Sequence, residues 1–285
     1  MKQAILITAY KDIQSLVDIV EFFDDRFNFY IHLDKKSDIN PSELLQKPNV
    51  FITNHYKVNW GGFNHLQAIL FLSKAALKNK DNTFFHLITG EDFPIKSVTD
   101  FLKIDISKNY IKYYELPAMV WKDNGGLDRL YYYQFYDLFN SKTKFGKKII
   151  ESLVTLQKLI GFKRSVSNLS SYKLYGGSTY WSLNRFALDH VINFALSNKE
   201  FLSRFKNTFC AEEIFFHTVL VNSTFLNTIE NTHLRFIDWT TGRGGYPAFL
   251  DESDFESLIK SHNIFARKIK KSDNLRNMLK DNFAN

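Results

Sequence analysis

Two adjacent carboxylates open one of the most apolar stretches of the chain. Residues 207–220 read NTFCAEEIFFHTVL, with Glu212 and Glu213 ahead of Ile214, Phe215, Val219 and Leu220. Such carboxylates can do one of two things. They can stabilise a helix start, where the positive end of the backbone dipole favours acids by about 0.3–1 kcal/mol. Or one of them can act as a general base on an incoming hydroxyl. The spacing does not choose. Glu213 and His217 stand four residues apart on one expected helix face, but two ligands are too few for a metal site. The single cysteine, Cys210, can form neither a thiolate cluster nor an internal disulfide, and no His-Glu-x-x-His stretch or Gly-rich phosphate loop occurs. Asp-x-Asp is absent from the whole chain. If the protein handles a diphosphate, cationic side chains must therefore replace an ion, and the basic run NIFARKIKK could supply them. That run also suits a solvated helix face. Asp34 in HLDKKS, and Glu91 and Asp92 in HLITGEDFPIKS, stand where strands are expected to end. Ligands collect at the carboxyl ends of strands in open α/β sheets, although an Asp there also turns a chain or caps a helix.

The elements that must position these groups are legible in the first hundred residues. QAILITA, FNFYIHLD, PNVFIT and TFFHLIT read as buried strands, the second ending on Asp34. Residues 13–23 and 63–77 carry apolar side chains at helical spacing. Alternation of strand and helix predicts a layered α/β fold with a mainly parallel central sheet flanked by helices. Further on, NYIKYYEL, GGSTYWSL after a Gly-Gly turn, and LRFIDW read as strands. Residues 185–197 and 211–221 read as helices, and the basic stretch 140–172 holds another inside flexible connections. Ser253 followed by Glu256 suggests a capping box. No repeat or Pro-rich linker divides the chain, so one domain is expected over residues 1–285: a nucleotide-binding part to about 105, an acceptor and catalytic part from 106 to about 270, and a basic C-terminal helix at 271–285.

The 285 residues are 45% hydrophobic and 16% aromatic, enough for a sizeable core with flat faces left for sugars or bases. A net charge of +7 favours anionic partners. A nucleic-acid-binding protein is one reading of that charge, but the basic residues are dispersed and no binding module is recognisable. A glycoside hydrolase with two carboxylates is another. No apolar stretch is long enough to span a membrane, so a cytoplasmic protein is expected, with peripheral contact at the anionic inner membrane face through its basic C-terminal segment.

Seven segments in order, FYIHLDKKS, NWGGFNHLQAILFL, FHLITGEDFPIKS, YGGSTYWSLNR, FCAEEIFFHTVL, LRFIDW and SHNIFARKI, resemble the core-2/I-branching β-1,6-N-acetylglucosaminyltransferases and their xylosyltransferase relatives. The resemblance runs from about residue 5 to 270. It implies a GT-A-type fold without Asp-x-Asp, and inverting, metal-independent transfer of a sugar from a UDP donor, with no cofactor. UDP-GlcNAc is the first expectation; xylosyl and glucosyl transfer are the alternatives. The acceptor would be a glycan or a lipid-linked oligosaccharide in cell-surface polysaccharide synthesis. The family's catalytic base maps to Glu213, the end of a Pro-Asp-Glu-like triplet, and Glu212 keeps the cap role. The start of the helix would help Glu213 stay ionised. Lys268, in IFARKI, maps to the lysine that neutralises the diphosphate, and Asp34 to a nucleotide contact. Ser178, in the YGGSTYWSLNR segment, and Arg243, in TTGRGGYP, are grouped with the donor, Arg243 as the partner of Lys268. Glu115, Asp92, Trp181 and Trp239 are assigned to the acceptor. The family has a tyrosine two residues after the tryptophan matched by Trp239; here that position is Thr241.

Overall fold

The computed structural model describes residues 1–269 and 274–283. Its first half alternates as expected: β1 (Lys2–Ala9), α1 (Ile13–Phe22), β2 (Phe27–Leu33), β3 (Val50–Thr53), α2 (Phe63–Lys78) and β4 (Asn82–Thr89). The second half supplies β5 (Asp92–Pro94), β6 (Asn109–Glu115), α3 (Lys144–Leu159), β7 (Tyr175–Asn184), α4 (Arg185–Ser197), α5 (Glu212–Val221), β8 (Ile229–Glu230), β9 (Arg235–Ile237), β10 (Phe265–Arg267) and α6 (Asn274–Phe283), with shorter helical turns between them.

Seven strands form the central sheet in the order β3-β2-β1-β4-β7-β6-β8. β1 runs parallel to β2 and β4, and β2 to β3. β7 alone is antiparallel to its neighbours β4 and β6, and β8 is parallel to β6. The sheet is therefore mostly parallel, and the carboxyl ends of β1, β2, β4 and β6 share one edge.

Covering on both faces explains why these strands read as continuous apolar runs rather than alternating ones. β2 is buried at every position. In β1, Ala4 and Leu6 pack towards α2, α4 and α5, while Ile5 and Ile7 pack towards α1 and α6. Each large side chain fully buried this way contributes about 1.5–3 kcal/mol.

A second sheet, β5-β10-β9, lies against the α1 side. The segment FAR (Phe265–Arg267) within the basic run is therefore a buried central strand, not a solvated helix face: a strand flanked on both sides must hide its alternate side chains. β10 joins β5 at one edge, so chain from beyond residue 260 completes the layer that begins near residue 92.

The expected C-terminal helix lies partly outside the described residues, and its described part is α6. That helix is held by more than basic character: Arg276 is buried and donates to Asp18 of α1 at 3.1 Å and to the Ser15 hydroxyl at 2.7 Å. The expected Ser253–Glu256 box is replaced by Asp251 and Asp254, because the turn starts two residues earlier and the Asp251 carboxylate takes the Ser253 backbone N–H and its hydroxyl. Gly176 and Gly177 stand inside β7 rather than in a turn. A Cβ on Gly177 would lie 1.9 Å from the Lys112 carbonyl oxygen, so the close approach of β6 requires glycine there.

Candidate active site

Glu213 occupies the first turn of α5, and its carboxylate faces a partner that no local pattern announces. Arg129 donates through Nη1 to Glu213 Oε2 at 2.7 Å, and the Thr179 hydroxyl of β7 reaches Oε1 at 3.4 Å. The guanidinium lies 3.9 Å above the Trp121 ring and 5.0 Å from that of Phe209. Trp121 in turn rests where a side chain on Gly176 would stand: a Cβ there would come within 2.4 Å of the indole. The glycine thus admits the tryptophan, the tryptophan seats the arginine, and the arginine orients the carboxylate. Solvent still reaches 24% of the Glu213 side chain and 16% of that of Arg129, so the pair borders an opening. Burial pushes the Glu213 carboxyl up from the ordinary glutamate range, with Arg129 opposing it. The direction is opposite to that expected from a helix start alone, because α5 is packed in apolar surroundings. A carboxylate with a raised pKa is the stronger base.

Glu212 does not cap the helix. Its carboxylate turns inward to His65 Nδ1 of α2 at 3.0 Å, and His65 Nε2 lies 3.2 Å from the Thr8 hydroxyl near the end of β1. Burial alone would lower the His65 pKa; the Glu212 charge reverses this and raises it. This Thr8–His65–Glu212 chain ties the start of α5 to the carboxyl edge of the sheet.

The strand order reverses between β1 and β4, where open α/β sheets bind ligands. Lys11, just past β1, pairs with Glu91, just past β4, at 2.7 Å. Arg267 reaches Glu91 at 3.9 Å, and the Ile269 backbone N–H donates to the Glu91 carbonyl at 3.0 Å. Lys268 follows Arg267 in the chain, its ammonium 5.5 Å from the Phe249 ring. Burial lowers its pKa while Glu91 works against that shift. Lys11, Arg267 and Lys268 therefore cluster around Glu91, with Arg267 also bonded to the buried Asp92. Asp34 is buried at the end of β2, accepting from the backbone N–H groups of Lys36 at 3.0 Å and Val58 at 3.2 Å.

The other expected residues divide. β7 presents Thr179 and Trp181 towards α5, while Tyr180 faces Arg267 at 4.9 Å. By strand alternation Ser178 shares the Tyr180 side. Trp181 is a correction: it is 1% exposed and stacked on Phe216 at 5.3 Å, so it offers no face to a sugar. Asp92 is another. It is fully buried, accepting from the Thr89 hydroxyl and from Arg267, and braces β4 against β10. Arg243 is engaged by Asp238, Asp251 and Asp254, with a two-pronged contact to Asp254 at 2.9 and 2.6 Å. It closes its own loop and leaves Lys268 without its expected partner. His217 is buried against Gly177 and shares no site with Glu213. Glu115 is exposed at the end of β6, 3.8 Å from Lys173. Trp239 is half exposed with the Tyr246 ring 5.2 Å away, so an aromatic neighbour comes from the loop although Thr241 fills the expected place.

Residues 4–259 match the family model described as the Core-2/I-branching enzyme. A xylosyltransferase of Ciona intestinalis is 26% identical over 249 residues, covering 83% of this chain and 26% of that protein. Beta-glucuronosyltransferase GlcAT14A of Arabidopsis thaliana is 31% identical over 119 residues, covering 41% and 26% respectively. The chain spans about a quarter of the length of these curated relatives. A solved structure, the apo form of glycosyltransferase GlyE from Streptococcus pneumoniae TIGR4, aligns with a TM-score of 0.26 at 14% identity, over 56% of this chain and 39% of that one. With a match that extends across most of its length, the chain belongs to the Core-2/I-branching enzyme family, a family of glycosyltransferases.

Proposed function

We propose that this chain transfers a sugar from a UDP donor to a hydroxyl of a glycan or lipid-linked oligosaccharide, by single displacement with inversion. The observation that carries the reading is Glu213: a partly exposed carboxylate of raised pKa, oriented by Arg129 and Thr179 and tied by Glu212, His65 and Thr8 to the crevice between β1 and β4. Glu213 accepts the acceptor hydroxyl's proton as that oxygen attacks the anomeric carbon. Charge grows on the departing diphosphate, and Lys268 and Lys11 meet it from the crevice. Lys11 takes the place expected for Arg243, whose guanidinium is already held by three carboxylates. Asp34 and Ser178 border the donor; Glu115, Trp239 and Tyr246 border the acceptor.

GlcNAc is the donor sugar that the sequence resemblance favours. The xylosyl- and glucuronosyltransferase relatives support xylose and glucuronic acid as alternatives. No helix among the described residues is long and apolar enough to cross a membrane. A peripheral place at the cytoplasmic membrane face fits synthesis of a surface polysaccharide.

The test is Glu213→Gln, assayed against a panel of UDP-sugars. Transfer is abolished while UDP binding by calorimetry persists. Retained turnover removes Glu213 as the base, and a strict Mn²⁺ requirement in wild-type protein removes the metal-free mechanism.

A further inference from the structure

Helix α3 buries only Gly146 and Ile150 of its 16 residues. Thr143 caps its start, accepting from the Gly146 backbone N–H at 3.0 Å, so the helix is well formed despite standing largely in solvent. Its solvent-facing surface carries large apolar side chains among the polar ones. Phe145 is 76% exposed and Leu159 79% exposed, and Leu156 between them is exposed too. At about 100° per residue these three fall within about 60° of one another on the helix, forming a strip down one flank that exposed Ser152 interrupts between Phe145 and Leu156. Ile160 and Phe162 extend it past the helix end.

Charge says what covers the strip. Lys144 and Lys148 border it along one side and Lys142 and Lys163 lie beyond its two ends, while Lys147 and Lys158 stand on the opposite flank, Lys158 paired with Asp128 at 2.6 Å. From residue 138 to 166 the one acid is Glu151, which Lys147 approaches at 3.8 Å. An apolar strip bordered by lysines fits a surface that is apolar within and anionic at its face. An apolar protein face satisfies the strip but not the lysines beside it.

We propose that α3 and the turn after it dock on an anionic lipid surface, the strip entering the acyl boundary and the lysines meeting the headgroups. This face adjoins the crevice: the Lys142 ammonium lies 4.3 Å from the ring of Tyr10, which directly follows β1. If the activity proposed above holds, an acceptor carried on a lipid would be presented to Glu213 from that side. The docking itself does not rest on that reading.

The experiment is co-sedimentation with phosphatidylglycerol-containing vesicles against pure phosphatidylcholine vesicles. The full chain is compared with Phe145→Ser/Leu159→Ser and with Lys144→Glu/Lys148→Glu. Wild-type protein binds the anionic vesicles and is released by salt, and each variant binds at least about tenfold more weakly. The altered residues are exposed, so unchanged circular dichroism and melting temperature verify the fold. Equal binding by wild type and variants overturns the proposal. So does loss of binding only on replacing Lys270 and Lys271. A wild-type dimer that the Phe145 and Leu159 changes convert to monomer, without vesicle binding, assigns the strip to self-association and overturns it as well. UDP-sugar turnover in solution, measured in parallel, reports separately on the transferase reading.

Discussion

Replacing Arg129 with methionine keeps much of the side-chain length over Trp121 and Phe209 but removes the charge beside Glu213. Two unit charges about 4 Å apart attract by about 4 kcal/mol at an effective dielectric of about 20. Solvent reaches 16% and 24% of these two side chains, which screens the pair, so about 2 kcal/mol is the expected loss, between the values for exposed and buried pairs. That corresponds to about 30-fold. The sign follows from which form of Glu213 is active. Burial already favours its neutral form and Arg129 resists that, so without Arg129 the carboxylate is harder to keep ionised. On the acid limb of the profile, where Glu213 is mostly protonated in both proteins, kcat/KM therefore falls by up to about 30-fold, and the loss shrinks as the pH is raised. Arg129→Lys, which keeps a cation, stays near wild type on the acid side of the profile. The assay is kcat/KM for UDP-sugar transfer against pH for the three proteins. Parallel profiles, displaced by the same factor at every pH, would refute the reasoning and assign Arg129 to substrate contact alone.

Three further outcomes are expected. Lys268→Ala and Lys11→Ala each weaken UDP binding by about tenfold, as loss of a charge-assisted contact does. Arg243→Gln instead lowers the melting temperature by releasing Asp238, Asp251 and Asp254; a comparable loss of UDP affinity would return Arg243 to the donor site. Acidification destabilises the fold through histidines buried in neutral form. Burial holds His217 at about 3 and His32 at about 4, both below the ordinary 6.5. Between those limits the unfolded chain binds more protons, so stability is full above about pH 7 and is lost as pH falls below 6.5, by up to about 1.4 kcal/mol per pH unit for each group. His32 shows why: its Nε2 accepts the Tyr56 backbone N–H at 3.0 Å and cannot do so when protonated. A melting temperature unchanged between pH 7 and 5 contradicts this account.

How far the sequence discloses such a site depends on the distance over which each partner acts. β1, β2, α1 and α2 declare themselves through neighbours within a few residues, and the parallel layering follows from their alternation. Glu213 is visible because its helix start is local and its surroundings resemble a known segment. Arg129 is 84 residues from it, inside the aromatic stretch RLYYYQFYDLF, where no periodic signal separates a site residue from a packing residue. Trp181 misleads for a related reason. β7 is covered on both faces near its end, so alternation does not distinguish a tryptophan in the core from one at a surface. β9 and β10 have three residues each, too few to show a period, and β10 lies within a run whose charge suggests solvent. Tyr246 joins Trp239 through a loop whose path local sequence does not dictate.

Arg267 reaches back across 178 positions to the Thr89 hydroxyl, and β10 supplies the middle rung of the small sheet. The candidate donor crevice is therefore completed only after residue 267 has been made. A nascent polypeptide that has released its first two hundred residues from the ribosome carries Glu91 and Asp92 with no cation from β10 to answer them. The cluster around Glu91 would therefore be assembled in one step, when β10 takes its place between β5 and β9.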